Sequence, residues 1–428
     1  MESTGIFDDL KWRGLIAQTT DESELRKALD EGPITFYVGF DPTAKSLHVG
    51  HLVAVLAMRR LQLAGHHPIA LVGGATGLIG DPRPTKERAM QDPEVIAGWV
   101  GHIREQISRL LSFDGDNPAI LVNNLDWTAD ITAIELLRDI GKYFRMSTML
   151  SRDIVSRRLA SEEGLSFTEF SYQLLQALDF RVLNREYDCT LQMGGNDQWG
   201  NMVGGAEFIR KTDGNIVSVL AVPLITKSDG TKMGKSEGGA VWLDPELMSP
   251  YAFYQFWLNT DDKDVIHYLK VFSFLSREEI ERLETEVKSN PGAREAQRAL
   301  ASELTTLVHG QAATDAAIFA SQALFGRGDL HELDLPTLEA IAVELPSANA
   351  NALENTTPEG ITVVDAAVAT GIVKSKGEAR RAIKEGGLYL NNTKITDPEQ
   401  SLTASDYLQG QYALIRRGKK TLAAIAKH

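Results

Sequence analysis

The sequence predicts an α/β protein, with a parallel sheet flanked by helices, then a helical region, then a small α+β module. Three observations predict this. Short runs rich in Val, Ile and Leu alternate with helical patterns to about residue 225, the pattern after Pro245 is helical through Phe325, and charge is unevenly distributed. The 428 residues carry a formal charge of −14, but residues 361–428 hold 11 Lys/Arg against 6 Asp/Glu and are +5, leaving −19 on the rest. An acidic body ends in a basic module, which argues against a general nucleic-acid binder while leaving the tail free to meet phosphates.

The length exceeds the usual single domain, and an apolar fraction of 43% is ordinary for chains that bury large cores, so two or three domains are expected. The lone Cys189 excludes an internal disulfide framework, and Met1-Glu2-Ser3-Thr4-Gly5 lacks the basic and apolar regions of a signal peptide. No apolar run reaches membrane-spanning length. A soluble cytoplasmic protein without a membrane partner is expected.

Strands are predicted at 34–40, 68–73, 119–123, 189–193 and 217–224. The helical segment 132–186 is long for a single crossover and is predicted to be an insertion. Within the later helices, Tyr251, Phe253, Tyr254, Phe256 and Trp257 are expected to pack inside. Gly326-Arg327-Gly328, Ser347-Ala348-Asn349-Ala350-Asn351 and Asn355-Thr356-Thr357-Pro358 have turn-forming composition and predict a linker. No internal repeat is evident.

Chemistry concentrates where the first of these strands gives way to a helix, at Phe40-Asp41-Pro42-Thr43-Ala44-Lys45-Ser46-Leu47-His48-Val49-Gly50-His51-Leu52. A helix N-terminus presents unpaired N–H groups and a positive dipole end to an anion. Histidines three apart share a helix face and can donate ring N–H bonds to phosphate oxygens. Gly50 between them permits close approach of a base to the backbone. Val53 to Leu63 then face a core. The plainer alternative is a pair of ordinary surface or core histidines. No metal is expected, because His48, His51, His66 and His67 lack a flanking Cys or acidic ligand set of zinc spacing.

Other nucleotide fingerprints are missing. Gly73-Gly74-Ala75-Thr76-Gly77-Leu78-Ile79-Gly80 fits G-x-G-x-x-G at no register, which argues against a dehydrogenase. Gly230-Thr231-Lys232-Met233-Gly234-Lys235-Ser236 has three residues between its glycines where a Walker A loop has four, and it follows the sheet. By itself it is an exposed lysine turn.

Together, His48-Val49-Gly50-His51, the late Lys232-Met233-Gly234-Lys235-Ser236 and the basic tail resemble the class I aminoacyl-tRNA synthetases, with their HIGH and KMSKS elements. Tyr37-Val38-Gly39-Phe40-Asp41-Pro42-Thr43, Gly73 to Pro82, Phe170-Ser171-Tyr172-Gln173-Leu174-Leu175-Gln176-Ala177-Leu178-Asp179 and Gln192-Met193-Gly194-Gly195-Asn196-Asp197-Gln198-Trp199-Gly200-Asn201 extend the resemblance to the bacterial tyrosyl-tRNA synthetases, over nearly the whole chain.

That resemblance implies a Rossmann-like catalytic domain over 1–230 with a helical insertion at about 130–187. It further implies an α-helical domain over 231–325 containing the KMGKS loop and lying on the tRNA anticodon side, a linker over 326–358, and a small ribosomal-protein-like RNA-binding domain over 359–428. It implies activation of tyrosine by ATP, followed by transfer to tRNA(Tyr). It further implies ATP as a substrate with Mg²⁺, no tightly bound cofactor, a homodimer, and no DNA partner. His48 and His51 are implied to stabilise the phosphates in the transition state, and Lys232, Lys235 and Ser236 to clamp the departing pyrophosphate. Tyr37 and Asp179 are implied partners of the phenol; the plainer alternative for Asp179 is a salt bridge to Arg181 or Arg185. Asp81, Tyr172 and Gln176 correspond to the ammonium-holding residues, with Tyr172, Gln176 and Asp179 near one helical face. Packing of a helix face is the alternative for Tyr172 and Gln176. Gln192 and Gln198 complete the tyrosine pocket. Gly39, Asp41, Thr43, Gly50, Gly195 and Asp197 correspond to positions around ATP, with tight-turn geometry as an alternative or companion reading for Gly39 and Gly195.

Val38 stands where some family members have a cysteine touching ribose, and Ala54 where others are polar. The segment 81–88 departs from the commoner pattern, leaving open which of Arg83, Lys86 and Arg88 meets pyrophosphate. In the tail, Lys374, Lys376, Arg380, Arg381 and Lys384 cluster on a predicted helix as implied RNA contacts, or as a solvated charged face. Two rival readings are a tryptophan-specific relative and an inactive RNA-binding protein with the same fold.

Overall fold

A computed structural model describes residues 5–83, 90–231, 233–236, 239–354, 361–418 and 421–427. The chain divides into two compact units, Met1–Asp244 with Asp261–Ala296, and Pro245–Thr260 with Gln297–His428.

The first unit is built on a six-stranded sheet. Its strands are β1 (Gln18–Thr19), β2 (Thr35–Phe40), β3 (His67–Val72), β4 (Ile120–Asn123), β5 (Cys189–Gly195) and β6 (Ser218–Val222), in the order β1-β6-β5-β2-β3-β4. The last five pair in parallel and β1 adds antiparallel to β6. All five predicted strands are present within a residue or two; β1, only two residues long, left no periodicity to detect. Pro68–Val72 and Val219–Val222 are buried at every position. Since successive strand residues point to opposite faces, both faces of the sheet are covered.

Because β3 and β4 are added on one side of β2 while β5 and β6 are added on the other, the order reverses between β2 and β5. Such a reversal opens a crevice at the carboxyl ends of the two strands. Tyr37 on β2 packs there with Ile69, Leu71, Phe180, Leu183 and Ile209. The long β4-to-β5 connection contains several short helices and then the crossover helix Phe167–Tyr187. The helix Val49–Leu63 is buried nearly all round, but Leu63, expected to face the core, is 69% exposed.

The stretch 231–325, expected as one helical domain, is divided between the units, with Val265–Phe272 and Arg277–Ser289 belonging to the first. There Arg13 donates to the carbonyls of Lys270, Ser273 and Leu275, and Arg60 to that of Ser273, capping the end of the helix Val265–Phe272. These bonds tie the helix to the N-terminal half of the unit.

In the second unit Phe253, Tyr254 and Trp257 are buried, whereas Tyr251 and Phe256 are only partly so. After the hairpin β7 (Lys235–Ser236) and β8 (Gly239–Ala240) of the first unit come β9 (Ser347–Asn349), β10 (Leu388–Leu390), β11 (Thr393–Lys394), β12 (Tyr412–Arg417) and β13 (Thr421–Ala426). These five form a sheet in the order β11-β10-β12-β13-β9. Alternation along β12 and β13 is strict. Ala413, Ile415, Ala423 and Ile425 face one core with Val363, Ala367, Ala379 and Ile383, while Leu414, Leu422 and Ala424 face another with Ala320, Leu330, Leu338 and Ile341.

The expectation of a linker over 326–358 is corrected by this second core. The stretch contains the helix Leu335–Glu344 and supplies β9, which pairs parallel with β13. Of its turn-forming residues, Ser347–Asn349 are β9 itself and Ala350-Asn351 begin the helix Ala350–Glu354, and Leu330, Leu333, Leu338 and Ile341 before them are buried. Asn355 to Pro358 lie outside the described residues.

Candidate functional site

A cavity of about 500 Å³ opens at the carboxyl ends of β2 and β5. Tyr37, Gly39, Asp41, Thr43, His48, Gly50, His51, Asp81, Tyr172, Gln176, Asp179, Gln192, Gly195, Asp197 and Gln198 all line it, so the fifteen described candidates for tyrosine and ATP other than Lys235 share one wall.

At the deep end, Asp179 is 2% exposed on the crossover helix. Its carboxylate accepts from Asn124 Nδ2 at 3.0 Å and from Trp127 Nε1 at 2.9 Å. Burial drives its pKa up to about 7, against the lowering effect of those two bonds. The salt bridge considered for this residue does not form, since Arg181 and Arg185 both pair with Asp213. A residue two positions along a helix faces another direction, which separates Asp179 from Arg181. Tyr37 is 1% exposed, and its phenol is held protonated by burial and by the charge of Asp179. The hydroxyl of Tyr37 and the Oε1 atoms of Gln176 and Gln192 are buried without a hydrogen-bond partner among the described residues.

Tyr172 and Thr76 donate to the two oxygens of Asp41 at 2.7 and 2.6 Å. A Cβ on Gly73 would lie 2.2 Å from Asp41 Oδ1, and one on Gly74 would lie 2.2 Å from Asn123 Oδ1. The glycine-rich turn is therefore required by these side chains rather than by a dinucleotide. Asp81 accepts from Gln198 Nε2 at 2.8 Å and from Asn201 Nδ2 at 3.2 Å.

At the outer end, His48 is the N-cap of the helix Val49–Leu63 and not one of its helical residues, as the three-residue spacing had suggested. Its Nδ1 accepts from Gly50 N at 3.0 Å, and His51 Nδ1 accepts from His48 N at 3.1 Å, a reciprocal capping box made of two imidazoles. The rings stack at 3.9 Å. Burial lowers the pKa of His48, and burial with the neighbouring His48 lowers that of His51 to about 3. Both are neutral at pH 7, and since each Nδ1 is an acceptor, each proton sits on Nε2.

Gly39, Gly50 and Gly195 have no positive φ, so no left-handed backbone demands glycine at these positions. A Cβ on Gly50 would lie 2.7 Å from the His48 ring, and one on Gly195 would lie 2.5 Å from Asp197 Oδ1. On Gly39 it would meet only Leu71, at 3.8 Å.

Met233 and Gly234 of the KMGKS segment line the cavity, and Gly234 at φ +86° lies where a Cβ would be 3.9 Å from Gly50 N. The segment thus passes the start of the histidine-capped helix. Lys235 and Ser236 form β7; Lys232, like Lys86 and Arg88, lies outside the described residues, whereas Arg83 lines the cavity. Among the described residues no group of three or more His, Cys, Asp or Glu is placed to hold a metal.

In the second unit Lys374, Lys376, Arg380, Arg381 and Lys384 are all exposed, on or just before the helix Lys376–Lys384. Lys376 pairs with Asp365 at 2.6 Å and Arg380 with Glu399 at 3.2 Å. The Arg416 guanidinium stacks over Tyr389 at 4.0 Å, placing a further cation on the same small sheet.

Sequence reasoning missed Asn124, Trp127, Thr76 and Asn201. The doublet Asn123-Asn124 directly after an apolar strand was the one available signal, since amides at a strand's carboxyl end point to a crevice.

Residues 29–326 match the family model for class I tRNA synthetases (W and Y), and residues 338–425 that for the SYY-like C-terminal domain of tyrosine–tRNA ligase. The chain is 60% identical to a tyrosine–tRNA ligase of Streptomyces griseus, over 99% of this chain and 98% of that one. It is 58% identical to that of Streptomyces coelicolor, over 99% of both. Its structure is similar to that of a C-terminally truncated mitochondrial tyrosyl-tRNA synthetase of Aspergillus nidulans, with a TM-score of 0.69 and 32% identity, over 76% of this chain and 95% of that one.

Proposed function

The chain belongs to the tyrosine–tRNA ligases of the class I tRNA synthetase family, and on that premise we propose how its residues divide the work. The enzyme activates L-tyrosine with ATP to tyrosyl-adenylate and pyrophosphate, then transfers the tyrosyl group to the 3′-terminal ribose of tRNA(Tyr).

In the first step a carboxylate oxygen of tyrosine attacks the α-phosphorus, and the bond to the β-phosphate oxygen breaks. The nucleophile is already charged, so catalysis consists of alignment and of stabilising charge on the phosphates. Neutral His48 and His51 donate their Nε2–H groups to those oxygens as charge develops, fixed in tautomer by the capping box. Lys232, Lys235 and Ser236 hold pyrophosphate as it leaves. Asp81, Tyr172 and Gln176 receive the ammonium group, Gln192 and Gln198 close the tyrosine pocket, and Gly39, Asp41, Thr43, Gly50, Gly195 and Asp197 surround ATP. In the second step a ribose hydroxyl attacks the tyrosyl carbonyl and AMP leaves.

The observation that carries this reading is the set of buried, unpartnered polar atoms on Tyr37, Gln176 and Gln192 beside Asp179. Such atoms are costly in an empty pocket and are satisfied by a ligand that brings its own polar groups. A phenol donating to Asp179 and accepting from Tyr37 fits both. The test is ATP–pyrophosphate exchange with each amino acid in turn; exchange with tyrosine alone is expected, and exchange driven by tryptophan would overturn the pocket assignment.

Mg²⁺ is taken to arrive with ATP as part of the substrate, and protein synthesis places the reaction in the cytoplasm. No helix among the described residues is long and apolar enough to cross a membrane. The basic helix Lys376–Lys384 is assigned to tRNA phosphates. A second copy of the chain is assigned to the outer edge of β4, where Ile120 and Leu125 are partly exposed and Ile134, Leu137 and Met146 are more than half exposed within one stretch. Light scattering should find a dimer that Leu137→Glu dissociates; a variant that stays dimeric would remove this face from the interface.

A further inference from the structure

Two residues outside the cavity wall are linked by hydrogen bonds to Asp81 and Gln198 on it. Arg152 and Asn201 line a separate cavity of about 510 Å³, which shares Asp81 and Asp197 with the first, and neither faces the first cavity. Arg152 Nη1 donates to Asn201 Oδ1 at 2.7 Å. Asn201 Nδ2 donates to Asp81 Oδ1 at 3.2 Å and to Gln198 Oε1 at 3.0 Å, and Gln198 Nε2 donates to Asp81 Oδ2 at 2.8 Å.

We propose that Arg152 is a positioning residue for amino-acid recognition, acting through Asn201 to fix Asp81 and Gln198 in the orientation that receives the ammonium group. The inference rests on the assignment of Asp81 to that group. Its direction follows from donor and acceptor inventory. A guanidinium has no acceptor, so the atom of Asn201 facing Arg152 is the oxygen, and the amide nitrogen is turned toward Asp81 and Gln198. That nitrogen occupies one lone pair of Asp81 and the oxygen of Gln198, which leaves Gln198 Nε2 to donate to the other carboxylate oxygen. One cation therefore fixes three side chains, and the bond nearest it is charge-assisted.

One glycine of the facing helix makes room for this arginine. A Cβ on Gly204 of the helix Trp199–Asp213 would lie 2.7 Å from Arg152 Nη2, so glycine there leaves room for the guanidinium, while a Cβ on Gly200 one turn earlier would make only ordinary contact with its Cδ at 3.6 Å. Burial weakens the guanidinium's hold on its proton and the charge of Asp81 opposes that effect.

The test uses full-length Arg152→Met, Arg152→Lys, Asn201→Ala and the double variant Arg152→Met/Asn201→Ala in ATP–pyrophosphate exchange, with folding checked by thermal midpoint. Arg152→Met is expected to raise the KM for tyrosine on the order of tenfold, the scale of one lost charge-assisted hydrogen bond, with kcat and the KM for ATP unchanged. Arg152→Lys should restore most of the loss, and the double variant should be no worse than Asn201→Ala. Inhibition by 3-(4-hydroxyphenyl)propionate, which lacks the ammonium group, should be the same in all. Overturning results are an unchanged tyrosine KM in folded Arg152→Met or Asn201→Ala, additive effects in the double variant, or a propionate inhibition constant that rises with the tyrosine KM. Asp81→Asn separates the two levels. If it too leaves the tyrosine KM unchanged, the ammonium assignment fails; if it alone raises the KM, only the relay fails.

Discussion

Trp127 donates its indole N–H to Oδ1 of Asp179 across 2.9 Å, joining the connection after β4 to the middle of the crossover helix. This bond and the one from Asn124 hold a buried carboxylate with neutral donors, and with no cation paired to it among the described residues its acceptor strength is available to a phenol. Removing the carboxylate with Asp179→Ala should erode the preference for tyrosine over phenylalanine by about 10²-fold, the scale of a lost buried hydrogen bond to a charged group. The ratio of kcat/KM values in pyrophosphate exchange measures it. The full discrimination of tyrosyl-tRNA synthetases, about 10⁵-fold, is a known value for the family and not one obtained from this pocket.

With Asp179 at about 7, the ionised form that accepts from the phenol is lost as pH falls through that value. Tyrosine affinity should therefore be constant above about pH 8 and decline below pH 7, approaching tenfold per unit. Trp127→Phe removes one of the bonds that lower the pKa, so the midpoint should move up. Equilibrium binding of tyrosine between pH 5.5 and 8.5 tests both signs; a midpoint that moves down in Trp127→Phe contradicts the assignment.

The imidazole capping box separates two roles at one position. His48→Ala loses the cap on Gly50 N and the Nε2 donor, whereas His48→Asn keeps an N-cap acceptor. Thermal stability should fall by about 1 kcal/mol in the first and by less in the second. His51→Ala should lower kcat for activation by about 10²- to 10³-fold with the tyrosine KM nearly unchanged, as expected for a donor used in the transition state. Stopped-flow formation of tyrosyl-adenylate resolves the two effects.

Deleting residues 359–428 is a poor test of RNA binding, because it would strip Leu408, Leu414, Leu422 and Ala424 from a core shared with Leu338 and Ile341. Charge removal on the exposed helix is cleaner. Arg381→Gln with Lys384→Gln should leave pyrophosphate exchange unchanged, raise the KM for tRNA, and reduce the salt slope of tRNA binding by about two. An unchanged tRNA KM would make these residues a solvated face.

Much of this architecture was legible because its signals are local. Continuous apolar runs located β2 to β6, and the two histidines lie at the start of the helix that follows β2. Other features depend on chain segments that meet only in the fold. Asn124 and Trp127 are more than fifty residues from Asp179, and their contact follows from a strand order that periodicity does not encode. Arg181 and Arg185 were plausible partners by proximity in sequence, yet helix geometry turns them to Asp213. The strands β1 and β9, two and three residues long, are specified by their pairing neighbours and not by any pattern of their own. Gly50 was attributed to access for a base, while its hydrogen is also demanded by the His48 ring.

The central claim is that unpartnered buried polar atoms select tyrosine through its phenol, and Tyr37→Phe tests it most directly. Pyrophosphate exchange with tyrosine and with phenylalanine, measured on that variant and the parent, should show kcat/KM for tyrosine falling about tenfold while that for phenylalanine is unchanged or rises, because the orphaned hydroxyl no longer opposes it. An equal fall for both amino acids would show that the Tyr37 hydroxyl supports the pocket without reading the substrate.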